Sequence, residues 1–145
     1  APRHRQPTMT DYEGGCHCGA IGFRYSTIRP PDAWSVRACQ CSFCRKHDAL
    51  STSDPKGRLQ FRYSEQDALQ RYRFALGTAD FLLCRRCGVY VGAVIDVDGR
   101  QYGIINTHAL EDAPQDMAKV DPISYDAENA NNRVRRREER WTPVD

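Results

Sequence analysis

No apolar run in the 145 residues approaches the length of about 18 that a membrane-spanning helix needs, so no segment reads as a membrane anchor. Residues 1–10 carry basic side chains and prolines and lack the apolar centre of a secretory signal. Met9 is a candidate start, which would make the preceding residues an upstream extension. An excess of one charge is missing too. Lys and Arg number 21 against 19 Asp and Glu, and a net charge of +2 is too small by itself to point to nucleic acid. No long segment shows a convincing 3.6-residue apolar period, and there is neither an internal repeat nor a second domain. Cysteine is sparse for a disulfide scaffold: seven in 145 residues lie below the ~8–10% typical of such chains, and the count is odd.

What is present supports one globular domain with a real core. The chain is 40% hydrophobic and carries seven Tyr, five Phe and two Trp. Ile21, Phe23 and Tyr25 alternate with Gly22 and Arg24, as a half-buried strand requires. Trp34-Ser35-Val36-Arg37 leads as a short strand into Cys39, and residues 42–48 fit a single helical turn. Leu59, Phe61 and Tyr63 alternate again, with residues 69–74 expected to return as their partner strand. Residues 89–97 and 101–106 flank Asp98-Gly99, the strongest short-range hairpin signal in the chain. The expectation is a mainly antiparallel β fold of short strands. Beyond residue 111 the sequence is polar. Its run of Arg133, Arg135, Arg136, Arg137 and Arg140 beside Glu138 and Glu139 reads as a solvated face, with a nucleic-acid patch as the competing reading.

The cysteines fall into three clusters: Cys16-His17-Cys18, Cys39-Gln40-Cys41-Ser42-Phe43-Cys44, and Cys84-Arg85-Arg86-Cys87. Without a secretory signal a reducing cytoplasm is expected, where clustered thiols mean metal or thiol chemistry more often than disulfides. Gly14-Gly15 and Gly19 frame the first pair, which lets the backbone turn so that neighbouring thiols converge. A C-x-C and a C-x-x-C brought together make a closed four-thiolate zinc site with no vacant position, which suits a structural role. If Cys16, Cys18, Cys84 and Cys87 close one site, then Cys39, Cys41 and Cys44 offer a second zinc three ligands and an open place, the plan of catalytic zinc. Arg45 and Lys46 could favour the thiolates and draw in a carboxylate-bearing substrate. Two alternatives stay open. His17, His47, Asp48 or His108 could close the second site, and the first pair could join two of the central three.

The stretch Gly14-Gly15-Cys16-His17-Cys18-Gly19-Ala20, the central Cys39 to Cys44 with Arg45-Lys46, and Cys84-Arg85-Arg86-Cys87-Gly88 together resemble the glutathione-dependent formaldehyde-activating enzyme family, which includes the centromere protein V type of domain. The similarity runs from about residue 11 to residue 112. It takes in Tyr72-Arg73-Phe74, and Ile104-Ile105-Asn106 with Leu110-Glu111-Asp112. The resemblance implies an Mss4-like fold of several coiled antiparallel β-sheets stabilised by zinc. The chain is expected to divide into a tail (1–10), a zinc-binding domain (11–128) and a polar, Arg-rich C-terminal segment (129–145). The resemblance also implies two zinc ions per chain: a structural one on Cys16, Cys18, Cys84 and Cys87, and a catalytic or labile one on Cys39, Cys41 and Cys44.

The implied activity is that of a carbon–sulfur lyase acting on a thiol–aldehyde adduct, with glutathione as a co-substrate and formaldehyde as the aldehyde. The expected partners are therefore a small-molecule thiol and aldehyde, with neither membrane nor nucleic acid. The competing readings are a zinc-stabilised binding module that works through Arg85, Arg86 and the 133–140 run, and a thiol-based redox or metal sensor built on the central trio.

Overall fold

The computed structural model describes residues 8–74, 76–114, 121–125 and 127–145. Most of the expected 1–10 tail lies outside the described residues. In chain order the elements begin with β1 (Thr10–Gly15), β2 (Ile21–Thr27), β3 (Arg37–Cys39), α1 (Ser42–His47), β4 (Ser51–Thr52), β5 (Arg58–Tyr63) and β6 (Leu69–Tyr72). They continue with β7 (Asp80–Cys84), β8 (Tyr90–Val97), β9 (Arg100–Asn106), β10 (Asp121–Ile123), α2 (Ala130–Arg140) and β11 (Thr142–Pro143).

Asp98 and Gly99 both adopt positive φ, 53° and 84°, the mirror-image turn whose twist suits an antiparallel pair. The Asp96 carboxylate accepts the Gly99 N–H at 3.0 Å, and β8 and β9 pair from Val97 opposite Arg100 to Gly92 opposite Ile105. Around this hairpin grows an eight-stranded sheet in the order β10-β3-β4-β9-β8-β7-β6, with β11 also on β9. A second sheet of three strands has the order β1-β2-β5. All of these pairings are antiparallel except that of β10 with β3.

Successive residues of the central strands point to opposite faces, and both faces are covered. Leu82, Val91, Val94 and Ile105 join Phe23, Tyr25, Trp34 and Leu59 in a core between the two sheets. Phe81, Tyr90, Ala93, Ile95 and Ile104 form a second core with Cys44 and Trp141. A strand buried on both sides is apolar at nearly every position, and residues 90–95 are buried without interruption. Trp34 anchors the first core, 1% exposed and edge-on to Tyr12 and Tyr25 at 4.8 and 5.5 Å between ring centres.

Two expectations need correction. Residues 69–74 do not return onto residues 58–63: β6 pairs with β7, and β5 pairs with β2. The cross-strand contacts decide it, because Phe61 faces Phe23 and Leu59 faces Tyr25 across the β2–β5 ladder, whereas β6 buries little. The C-terminal arginine run is a solvated face only in part. It forms α2, in which Arg137 is buried and Arg133 and Arg136 are half-buried, while Arg135 and Arg140 are exposed. Asn129 starts this helix by accepting the Asn132 N–H at 2.8 Å. Among the described residues, no helix is long and apolar enough to cross a membrane.

Candidate metal centres

Each cysteine cluster sits where a tight turn exposes backbone N–H groups. Cys16 opens the loop between β1 and β2; its N–H donates to the Ile21 carbonyl at 3.0 Å, and the Ile21 N–H donates to Cys16 Sγ at 3.3 Å. Cys84 closes β7, and the turn into β8 sends the N–H groups of Arg86 and Cys87 to its sulfur at 3.3 and 3.5 Å. Gly19 and Gly88 stand at φ 85° and 80°, where a side chain would be strained. The quartet therefore joins a hairpin tip of the three-stranded sheet to a hairpin tip of the larger one.

The sulfurs of Cys16, Cys18, Cys84 and Cys87 lie within 4.8 Å of one another. Cys18 Sγ is 3.7 Å from Cys16 Sγ and 3.5 Å from Cys84 Sγ. Zinc–thiolate bonds of about 2.3 Å in a tetrahedron separate neighbouring sulfurs by about 3.8 Å, so this donor set fits zinc in both chemistry and spacing. Burial works to raise the Cys87 thiol, but the backbone N–H of Val89 and other donors hold it down at about 6. At Cys18 the Ala20 N–H pulls the other way, yet hydrogen bonding to Cys84 and burial push the thiol up to about 11. Four sulfurs this close cannot all ionise without a cation among them.

The second group is Cys39, Cys41 and Cys44, again with sulfurs within 4.8 Å. Cys39 ends β3, and Cys41 caps α1 by accepting the Cys44 N–H on its sulfur at 3.4 Å. Cys44 lies in the first turn of that helix and is 5% exposed. Hydrogen bonds from Cys39 and then Cys44 drive the Cys41 thiol down to about 2, while contact with Cys39 and Cys41 pushes Cys44 far up. The donor set is all sulfur and suits zinc equally well. A zinc ion held by three ligands would keep one coordination position for something else.

None of the four candidate fourth ligands joins the trio. His17, His47, Asp48 and His108 are absent from both sulfur groups among the described residues. The His47 ring packs on Phe43 at 4.5 Å instead. The first cysteine pair stands with Cys84 and Cys87 and not with the central three. Arg45 and Lys46 are exposed and lie off the wall of the cavity that the trio adjoins.

That cavity has a volume of about 280 Å³. All three cysteines of the trio line it, and none of the quartet does. Phe74, Phe81 and Trp141 supply an apolar wall, and Arg37 enters from β3. Its charged side comes largely from a region that sequence reasoning left outside the site: Tyr125, Glu128 and the inward face of α2, with Arg133, Arg136 and Arg137. The signal that could have revealed it is the spacing of those arginines, three and four apart, behind an Asn that caps a helix. By contrast Arg85 and Arg86 are exposed, and Arg86 pairs with Glu65.

Beyond the cysteines, Asn106 ties the site to the scaffold. Its carboxamide donates to the Tyr90 carbonyl at 3.0 Å and accepts the N–H groups of Leu50 and His108 at 3.4 and 3.3 Å. It thereby fixes β8 against the segment that follows α1.

The fold is similar to a crystal structure of a Rhodobacter sphaeroides protein determined as a structural-genomics target. The TM-score is 0.59 and the identity 30%, over 77% of this chain and 99% of that one. Over residues 11–125 the sequence matches the family described as glutathione-dependent formaldehyde-activating enzyme, a span that contains all seven cysteines and stops short of α2. The fold is accordingly of the Mss4-like type, and the chain belongs to the glutathione-dependent formaldehyde-activating enzyme family.

Proposed function

We propose that the protein makes and breaks the carbon–sulfur bond between a thiol and an aldehyde, in the manner of S-hydroxymethylglutathione formation. In the forward direction the thiol sulfur bonds to the carbonyl carbon, the carbon–oxygen π bond opens, and the thiol proton ends on the former carbonyl oxygen. One observation carries the reading: the three-sulfur cluster lies on the wall of the cavity that Arg37 and α2 also line, and the four-sulfur cluster is not on that wall.

Cys39, Cys41 and Cys44 would hold a zinc ion, which when bound supplies Lewis acidity and favours the ionised form of a thiol. The remaining work falls to the chain itself. Phe74, Phe81 and Trp141 keep part of the cavity dry, which strengthens charge interactions inside it. The guanidiniums of Arg37 and α2 give it a positive field that favours an anionic thiolate over its neutral thiol. Cys16, Cys18, Cys84 and Cys87 would hold the two hairpin tips together through a second zinc.

The test is proton exchange spectroscopy on a mixture of glutathione and formaldehyde, which reads the rate at which free thiol and hydroxymethyl adduct interconvert. The zinc-loaded protein should accelerate that exchange, and Cys41→Ser should return it to the uncatalysed rate. Equal rates with wild type, with Cys41→Ser and without protein would overturn the proposal.

A further inference from the structure

We propose that α2 builds a carboxylate-binding subsite in the cavity beside the cysteine trio, with Arg133 and Arg137 as the residues that select a small substrate bearing a carboxylate. The orientation of that substrate toward the sulfurs rests on the thiol–aldehyde reading above; the carboxylate preference does not.

The argument begins with charge. Four guanidiniums line the cavity, those of Arg37, Arg133, Arg136 and Arg137, against the single carboxylate of Glu128. Arg136 already claims that carboxylate. It donates to both oxygens at 2.8 and 3.0 Å, and its guanidinium lies 3.5 Å from the centre of the Tyr125 ring.

Arg137 has no such counterpart. It is 8% exposed, donates to Thr78 Oγ1 at 2.7 Å, and stands over the Trp141 ring at 4.9 Å. Its Nε is buried without a hydrogen-bond partner, and no carboxylate among the described residues pairs with it. Burial, then the neighbouring Arg136 and Arg133, push its pKa down to about 10 against a smaller opposing pull from Glu128 and Cys39. Arg133 is paired only in part, because it shares Glu128 with Arg136. It donates to the Tyr125 carbonyl at 2.8 Å, while its Nε lies 3.6 Å from Glu128 without a hydrogen bond.

A buried cation without a counterion is costly, and buried polar groups normally find partners. Arg137 is such a cation, and it lines the cavity beside Arg133, which has to share Glu128 with Arg136; the helix therefore brings more positive charge to the wall than the one carboxylate there balances. Three thiolates around a divalent ion would balance one of these charges, and a purely scaffolding role would call only for the Thr78 and Tyr125 contacts, which leaves positive charge on the wall still unbalanced. The guanidinium fork matches a carboxylate in plane and spacing. The apolar remainder of the wall suits the carbon skeleton of a small organic acid, and 280 Å³ is just under the ~300–1,000 Å³ range of ligand pockets. The family match ends at residue 125, so this subsite is built by an element beyond the matched segment.

The test follows the arginine Nε–Hε signals of the ¹⁵N-labelled, zinc-loaded full chain by NMR while propionate, propionamide or inorganic phosphate is added. Propionate should shift the Arg133 and Arg137 signals saturably, at least tenfold more tightly than its neutral isostere, and more tightly than phosphate. Arg133→Gln, the milder change, should weaken propionate about tenfold at unchanged zinc content. Arg137→Lys, which keeps charge and loses the fork, should retain only part of the preference. The proposal is wrong if propionate and propionamide bind alike to the wild type, a comparison that needs no variant to fold. Tighter phosphate binding would rule out the carboxylate class. A carboxylate preference without thiol–aldehyde exchange would instead refute the reaction and leave the subsite standing.

Discussion

Cys84→Ser should remove the fold, because the quartet lies where the two sheets meet. Cys84 is 2% exposed and packs in the core between the sheets, its sulfur 3.5 Å from that of Cys18 in the other sheet's hairpin loop. Two backbone N–H groups point at that sulfur. A structural zinc contributes roughly 10–16 kcal/mol to the state that binds it. A domain of this size is stable by about 5–15 kcal/mol in total. Loss of one of four ligands forfeits enough of the first figure to cancel the second. Cys84→Ser should therefore show no cooperative urea transition, and wild type treated with a strong chelator should behave in the same way. Cys41→Ser in the trio should keep its transition. A Cys84→Ser protein with the wild-type urea midpoint and slope would refute the claim that this cluster holds the sheets together.

Gly14→Ala places a methyl carbon 2.3 Å from Phe23 Cζ and 2.6 Å from the Ala109 carbonyl oxygen. It should cost about 1–3 kcal/mol, read as a lower urea midpoint at unchanged slope, and no shift would mean that β1 sits farther from Phe23 than described. The Glu128 carboxyl is held below its ordinary 4.5, chiefly by Arg136. Its contribution to stability is therefore present above about pH 4.5 and lost as pH falls through the lower folded-state value. Glu128→Gln should flatten the acid side of a midpoint-against-pH curve, and an identical curve would contradict the pairing. Arg45→Ala with Lys46→Ala should leave thiol–aldehyde exchange within about twofold of wild type, since both side chains are exposed and off the cavity wall. A loss of tenfold or more would return them to the site.

Much of this was legible in the residues because local chemistry decided it. Asp98-Gly99 could turn only one way between two apolar runs, and the short cysteine spacings with adjoining glycines dictated tight turns that present sulfur. The choice of partner for β5 was not local. Phe61 and Leu59 pair with Phe23 and Tyr25, 38 and 34 residues away, and no pattern within residues 58–74 encodes that. Helix α2 escaped for a different reason. The side chains it turns inward are arginines, so its 3.6-residue period is written in cations and invisible to a search for apolar faces. Missing the helix hid the positive side of the cavity. Arg45 and Lys46, adjacent to Cys44 in sequence, are off the cavity wall, and the arginines of α2, roughly 90 positions farther on, are on it.

The division of seven sulfurs into a structural four and a reactive three is tested most directly by counting zinc by mass spectrometry in wild type beside Cys41→Ser, both purified without added metal and checked for folding. The account predicts two zinc per wild-type chain and one in a folded Cys41→Ser. A Cys41→Ser protein that loses all its zinc and unfolds, or a folded one that keeps both ions, would contradict it.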